Sequence, residues 1–485
     1  MSDLLTLAED SLPGARRGVH SGRIAWSVVP FVLSVMALNY SRLDAQSGFE
    51  VLHAFSEPAE GGAFPGTALL EVQPGVFYGA ADGFNSLPGS TTLFALGNRG
   101  SFMVLNALLR KYGSGTQGII QASDGNLYIS NLLGSSRKSP SSILKSDLEG
   151  NVTIFIDRTQ LQGGGPSALL DGGDGLLYGV ASNGQGNADS GIFFSLTLAG
   201  TLTVLHTFSL AEGFPSGAPV KATDGNFYGD TSYGGGTYGA GTLYRTTPAG
   251  AYATLYSFTG AADGDLPAGG LIQSHDGYLY GVTSFGGNAS GSGTIFKSTL
   301  NGAVTTIYSF SGPDGAQSFA PLVEATGGGV YGATSSGGTS GSGTVFGVTP
   351  AGVFSVIHSF DGGTDGSNVQ APLVQGSDGS LYGVATQGGS FNYGTAFRID
   401  LSLPKPLPAI NSFAPESGAA GSYVLLTGTN LVGPATVLFN GAPAKFASRG
   451  GHYVLAQVPA GATSGPISIA TPNGTAISRR AFLVK

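Results

Sequence analysis

Cysteine is missing from all 485 residues, which excludes disulfides, thiolate nucleophiles and zinc–thiolate centres without deciding the compartment. Charge is scarce: Asp, Glu, Lys and Arg make up 10% of the chain, and the formal net charge is −8. Nucleic acids and anionic membrane surfaces both need clustered Lys and Arg, so neither is expected as a partner. Tryptophan occurs once, at Trp26. After residue 38 no apolar run reaches the roughly 20 residues of a spanning helix, so the chain is not expected to be an integral membrane protein once its N-terminal segment is removed. Glycine is abundant, with 82 residues beside 41% apolar residues, which describes a turn-rich, folded all-β protein.

The N-terminal segment reads as an export signal over residues 1–45. Arg16, Arg17 and Arg23 precede the apolar run Ile24 to Leu38, and Leu43-Asp44-Ala45 offers a small residue for cleavage. The run is short and broken by Pro30, which favours a signal over an uncleaved anchor. The expectation is an exported protein, extracellular, on the cell surface or periplasmic.

One phrase, Asp224-Gly225-Asn226-Phe227-Tyr228-Gly229, recurs along the rest of the chain. Its versions place tyrosines at 78, 128, 178, 228, 280, 331 and 382, in steps of 50, 50, 50, 52, 51 and 51 residues. A fixed period of this size means stacked supersecondary units. Asp-Gly between apolar runs predicts a hairpin with a type I′ turn, which needs positive φ at both central residues. Each unit divides into four short β segments, so residues 46–403 are expected to form a seven-bladed β-propeller. The first segment, Val51 to Phe55, is of the last-strand type, whereas the seventh unit stops after its third strand at Ile399. The N-terminal strand is therefore expected to complete the final blade and close the ring.

The repeat, with its glycine-rich loop, Gly-Thr-x-Phe, Pro-Ala-Gly and Leu-Tyr-Ser-Phe, resembles the bacterial GloVer (Gloeo/Verruco) tandem repeat. Gly229 to Phe258, Gly281 to Phe310 and Gly332 to Phe360 carry it best, and it fades where Leu108 and Arg158 replace the strand-end phenylalanine. The resemblance implies an exported or surface protein of unassigned activity and supplies no catalytic residues. After a Pro-rich linker at 404–408, residues 409–485 read as short alternating strands between Gly, Pro and Asn turns. Phe413-Ala414-Pro415, Val424 to Leu431, Val437 to Gly441 and Val458-Pro459-Ala460-Gly461 make this stretch similar to an IPT/TIG domain, an Ig-like β-sandwich.

Chemistry is sparse. His53, His206 and His358 occupy one repeat position, held elsewhere by Tyr256 and Tyr308, and read as packing residues rather than ligands. The recurrent tyrosines likewise read as packing between blades. No Ser-His-Asp or paired-carboxylate arrangement stands out, and the starts of the first strands, such as Gly217-Ala218-Pro219 and Ala320-Pro321-Leu322, are small and apolar. No catalytic residue and no resident cofactor are assigned. In an up-and-down blade the two long connections share one face. That face is the candidate for ligand binding and should carry Asp263, Asp265, Asp314 and Asp365 with Tyr233, Tyr238, Phe285, Phe391 and Tyr393. Aromatic rings beside acidic acceptors suit a glycan or a protein segment, and oxygen ligands suit calcium. The expected function is a non-catalytic binding, adhesion or structural module. The alternative is an extracellular propeller enzyme that processes carbohydrate or hydrolyses lactones.

Overall fold

The computed structural model describes residues 48–485 apart from 57–61, 85–86, 109–114, 132–140, 163, 183–189, 236–238 and 450. The expected export signal and Tyr238 lie outside the described residues. Among the described residues every regular element is a β-strand, and none is a helix long and apolar enough to cross a membrane.

Seven antiparallel sheets form the blades of a propeller. Blade 4 shows the plan: Pro215–Lys221, Phe227–Thr231, Thr242–Thr246 and Tyr252–Ser257 pair in sequence order. Blade 1 opens at Ala63–Pro65, blade 2 at Thr116–Gln121, blade 3 at Gly165–Pro166, blade 5 at Asp265–Pro267 and blade 6 at Val323–Glu324. Blade 7 contains Val374–Gln375, Leu381–Ala385 and Thr395–Ile399, and its outer strand is the N-terminal Phe49–Ala54. Phe49 faces Ile399 and Ala54 faces Thr395, so this pairing joins the two ends of the ring.

Aromatic side chains hold neighbouring blades together. Phe55, Phe208, Phe258, Phe310 and Phe360 end the outer strands, are fully buried, and meet Phe94, Tyr244, Phe296, Phe346 and Phe397 of the next blade edge-on at 5.1–5.4 Å. Burying each ring is worth about 1.5–3 kcal/mol. The fourth-strand histidines pack as their sequence position implies. His53 stacks on Phe102, His206 on Tyr252 and His358 on Phe49, with centroids 3.8–4.4 Å apart, and Tyr308 stacks on Phe354 in the same way.

The Asp-Gly hairpins differ from the type I′ expectation. Only the glycine is left-handed, with φ of 85° at Gly125, 83° at Gly225 and 87° at Gly277. In blade 4 Gly225 donates to the Ala222 carbonyl and Ala222 to that of Asn226, the pattern of a type I turn closed by a G1 bulge. The aspartate keeps ordinary φ because its side chain has work of its own: Asp224 accepts from the Asn226 amide at 3.0 Å and from the Tyr228 hydroxyl at 2.8 Å. Tyr128, Tyr178, Tyr280 and Tyr382 repeat that bond to Asp124, Asp174, Asp276 and Asp378 at 2.7–3.0 Å. These five tyrosines are buried between blades, as packing residues should be, and each phenol also finds a partner; Tyr331, whose turn has no aspartate, is half-buried.

The Ig-like domain is a sandwich of two sheets. One contains Ala409–Ala414, Tyr423–Thr429, Tyr453–Gln457 and Lys445–Arg449; the other contains Gly474–Val484, Gly465–Thr471 and Thr436–Phe439 with two short edge strands. Val424, Leu426, Val437, Phe439, Ile467 and Ile469 are buried in its core. The domain meets the tight-turn side of the propeller: Asn473 Nδ2 donates to the Ser377 carbonyl at 2.6 Å, and burial together with the nearby Asp171 carboxylate pushes the Tyr453 phenol up. The linker is tied down too, because the Pro404 carbonyl accepts from Thr326 Oγ1 and from Gln375 Nε2.

Candidate binding face

The two long connections of each blade interlock. Gly235 donates to Ala211, Gly287 to Ala261, Gly338 to Gly312 and Gly389 to Gly363, each joining the loop before a first strand to the loop between second and third strands. A second set crosses between blades: Leu266 donates to Ala240, Gln317 to Ser292, Asn368 to Ser342 and Phe64 to Tyr393. The long-loop face is thus laced by backbone bonds.

Three of the four expected acidic residues are internal fasteners. Asp263 accepts from the Tyr256 hydroxyl at 2.9 Å, the Thr259 amide at 2.9 Å and the Thr259 hydroxyl. Asp314 takes the Tyr308 hydroxyl at 2.5 Å and both the amide and hydroxyl of Ser311. Asp365 takes His358 Nε2 at 3.0 Å and the Asp361 amide. Burial alone would push these carboxyls up, but the Thr259, Tyr308, Ser311 and His358 donors together hold all three below the ordinary carboxylate range. In blade 3 the pair is His206 and Glu212, 3.4 Å apart. The histidine position and the acid six or seven residues later therefore form one recurring pair, a relation legible in the sequence spacing but not drawn from it. Asp265 sits in the first strand of blade 5, paired through its backbone with Phe285.

The aromatics are placed differently. Tyr233 is 48% exposed, Phe391 57%, Phe285 37% and the unanticipated Phe64 38%. Phe64 meets Tyr393 edge-on at 5.6 Å; Tyr233 lies 6.5 Å from Phe214, and Phe285 6.5 Å from Phe319. Phe64, Tyr233 and Phe285 each stand beside a second ring, while the carboxylates are engaged by donors of their own chain, so the expected ring-plus-free-carboxylate arrangement is absent at Asp263, Asp314 and Asp365.

A pocket of about 420 Å³ opens on this face at blades 6 and 7. Its wall is uncharged, built from the amides of Gln317, Asn368, Gln370 and Gln387, several serine hydroxyls and the Phe319 ring. None of the eight described residues expected from sequence lines it, although Phe285 touches it through Phe319. A second pocket, about 390 Å³, lies on the tight-turn side between blades 5 and 6, where Glu324 accepts from Ser274 Oγ, the His275 amide and, at 2.8 Å, the His275 ring.

Toward the axis the first strands converge closely. A Cβ on Gly217 would lie 2.3 Å from the Gly270 nitrogen, and Ala218 bridges Gly270 directly, which explains the small residues there. Among the described residues no three His, Asp or Glu side chains gather as a metal would require. Asp230 is pushed up to about 7 by burial, yet it is wholly inaccessible, with Ser216 Oγ at 2.6 Å.

Seven four-stranded blades followed by an Ig-like sandwich define a propeller protein with an appended β-domain. Residues 165–397 carry the Gloeobacter/Verrucomicrobia repeat, and residues 408–480 carry an IPT/TIG domain. No curated protein matches the chain. Among solved structures it is similar to a fungal alcohol oxidase of the AA5 family in complex with copper (14% identity, 87% of this chain and 98% of that one, TM-score 0.49). It is also similar to the PQQ-bound aldose sugar dehydrogenase of Streptomyces coelicolor (15%, 60% and 97%, 0.40) and a gluconolactonase of Xanthomonas campestris (13%, 69% and 97%, 0.37). At these identities and scores the likeness says nothing of what this chain does.

Proposed function

We propose that the protein is an exported or cell-surface repeat module, non-catalytic, which contacts a glycan or a protein through the long-loop face of its propeller. The observation that carries this reading is the contrast on that face between exposed rings at Phe64, Tyr233, Phe285 and Phe391 and carboxylates already saturated by internal donors. Exposed aromatic surface fixed on a rigid scaffold suits contact with sugars or side chains. A general acid needs a pKa near the working pH and access to substrate; Asp263, Asp314 and Asp365 lack the first and Asp230 the second. The Ig-like domain occupies part of the opposite side, so a partner on the long-loop face meets no obstruction from it.

The test is the full chain on glycan and peptide arrays beside the double variant Tyr233→Ser, Phe391→Ser. Retained ligands lost by the variant support the module. Turnover of a polysaccharide or lactone panel, abolished by chelator, would instead establish the enzyme and a metal.

A further inference from the structure

The pocket at blades 6 and 7 is where the repeat departs from itself. Gln317 and Asn368 lie 51 residues apart, at the position that blades 1 and 5 fill with Phe64 and Leu266. All four have left-handed backbones, with φ of 54–59°, a strained conformation for any non-glycine residue. The geometry is held from both sides. The Gln317 amide donates to Ser292 at 3.0 Å and its carbonyl accepts from Ser335 at 3.0 Å; Asn368 does the same with Ser342 and Thr386 at 3.1 and 3.2 Å. The side chains therefore leave a fixed backbone in a fixed direction. Gln370 Nε2 donates to Asn368 Oδ1 at 2.9 Å, which orients both amides and leaves the Asn368 NH₂ and the Gln370 carbonyl for an incoming ligand. Gln387, exposed on the adjacent loop, adds a further amide.

We infer that this pocket is a subsite for a neutral sugar ring; the inference rests on the long-loop face being the binding face. A primary amide presents a donor and an acceptor side by side, the complement of two neighbouring hydroxyls, each of which is itself donor and acceptor. Phe319 supplies the apolar surface that the C–H face of a pyranose covers, backed edge-on by Phe285. The wall holds no charge, so a uronate, sulfate or phosphate finds no counter-ion, and a bare peptide segment finds only one ring to bury a side chain against. The volume lies within the roughly 300–1,000 Å³ of small-ligand sites.

The full chain is titrated calorimetrically with cellohexaose, xylohexaose, mannohexaose, chitohexaose and, as the charged control, hexagalacturonate. Binding of at least one neutral oligosaccharide is expected, unchanged between low and high salt and weakened about tenfold or more in Gln370→Ala and Gln387→Ala, both exposed side chains whose loss leaves the fold intact. Binding that survives both substitutions but is lost in Tyr233→Ser, Phe391→Ser overturns the subsite and keeps the module. Preference for hexagalacturonate overturns the neutral-sugar assignment. No binding by any of the five refutes the subsite, and silence on the peptide array as well refutes the long-loop face itself.

Discussion

Replacing Asp230 by asparagine should make the propeller's stability less dependent on pH and raise it at neutral pH. Asp230 is 0% exposed in the second strand of blade 4, at a position that other blades fill with Ala80, Val180, Val282, Ala333 and Val384. Its Oδ1 accepts from Ser216 Oγ, and its Oδ2 has no partner among the described residues. Burial pushes the carboxyl up to about 7, the Ser216 and Gly270 donors opposing only in part. The folded chain therefore keeps a proton that the unfolded chain releases near pH 4. The associated stability is complete below that pH and is lost as pH rises through 7. Three units at 1.36 kcal/mol each set a ceiling of about 4 kcal/mol. Asparagine keeps the shape and the Oδ1 acceptor and removes the ionisation. Urea unfolding of both chains, followed by circular dichroism between pH 4.5 and 8, leaves Asp124, Asp224, Asp263, Asp314 and Asp365 ionised throughout, because each is held below the ordinary range. The stability difference between variant and wild type should widen by about 2–4 kcal/mol across that range. Parallel curves would show that Asp230 ionises without penalty and would refute the burial argument.

Other substitutions test the fasteners. His358→Tyr adopts the residue of Tyr256 and Tyr308, keeps the Phe49 stack and the Asp365 acceptor, and should change unfolding free energy by less than about 1 kcal/mol, whereas His358→Ala should cost about 2–3 kcal/mol. Asp224→Ala orphans the Asn226 amide, leaves the Tyr228 hydroxyl only the Leu300 carbonyl at 3.4 Å, and should cost about 1–3 kcal/mol in the same assay. Removing residues 46–55 uncovers the edge of Thr395–Ile399 and the Phe94 pocket filled by Phe55; light scattering should then show association of a chain that is otherwise monodisperse. Asn473→Ala removes the donor to the Ser377 carbonyl and should raise amide hydrogen exchange in Gly474–Val484 while leaving blade 4 unchanged.

The blade number, the strand order and the domain pair were legible because each rests on something periodic or local: the 50-residue step, the Asp-Gly turns and the Pro-rich linker. The turn subtype was misread because type I′ chemistry considers the backbone alone, while here the aspartate carboxylate must also reach Asn226 and Tyr228. The binding face was only partly legible. Asp263, Asp314 and Asp365 look like free loop acids when each is read alone; the signal was their constant step of six or seven residues from Tyr256, Tyr308 and His358, which bond them. The amide pocket was missed because glutamine and asparagine carry no motif; its signal was the change from Phe64 and Leu266 to Gln317 and Asn368 at one repeat position.

That last point generalises within the ring. A residue that serves the fold is needed in every blade, so it recurs; one that serves something outside the ring is needed only where that contact falls. The inner-turn position illustrates both cases. Glu71, Gln273, Glu324 and Gln375 each reach back to the turn of the preceding blade, binding Ser377, Thr223, Ser274 and Thr326. Asp171 stands at the same position in blade 3, too short for that reach, and its carboxylate instead lies near Tyr453 of the Ig-like domain, where burial and that charge together push the phenol up. One departure from the repeat thus marks a contact with something other than a blade. The change to Gln317 and Asn368 is a departure of the same kind on the opposite face. No part of the Ig-like domain accounts for it, which directs the search for a ligand to blades 6 and 7.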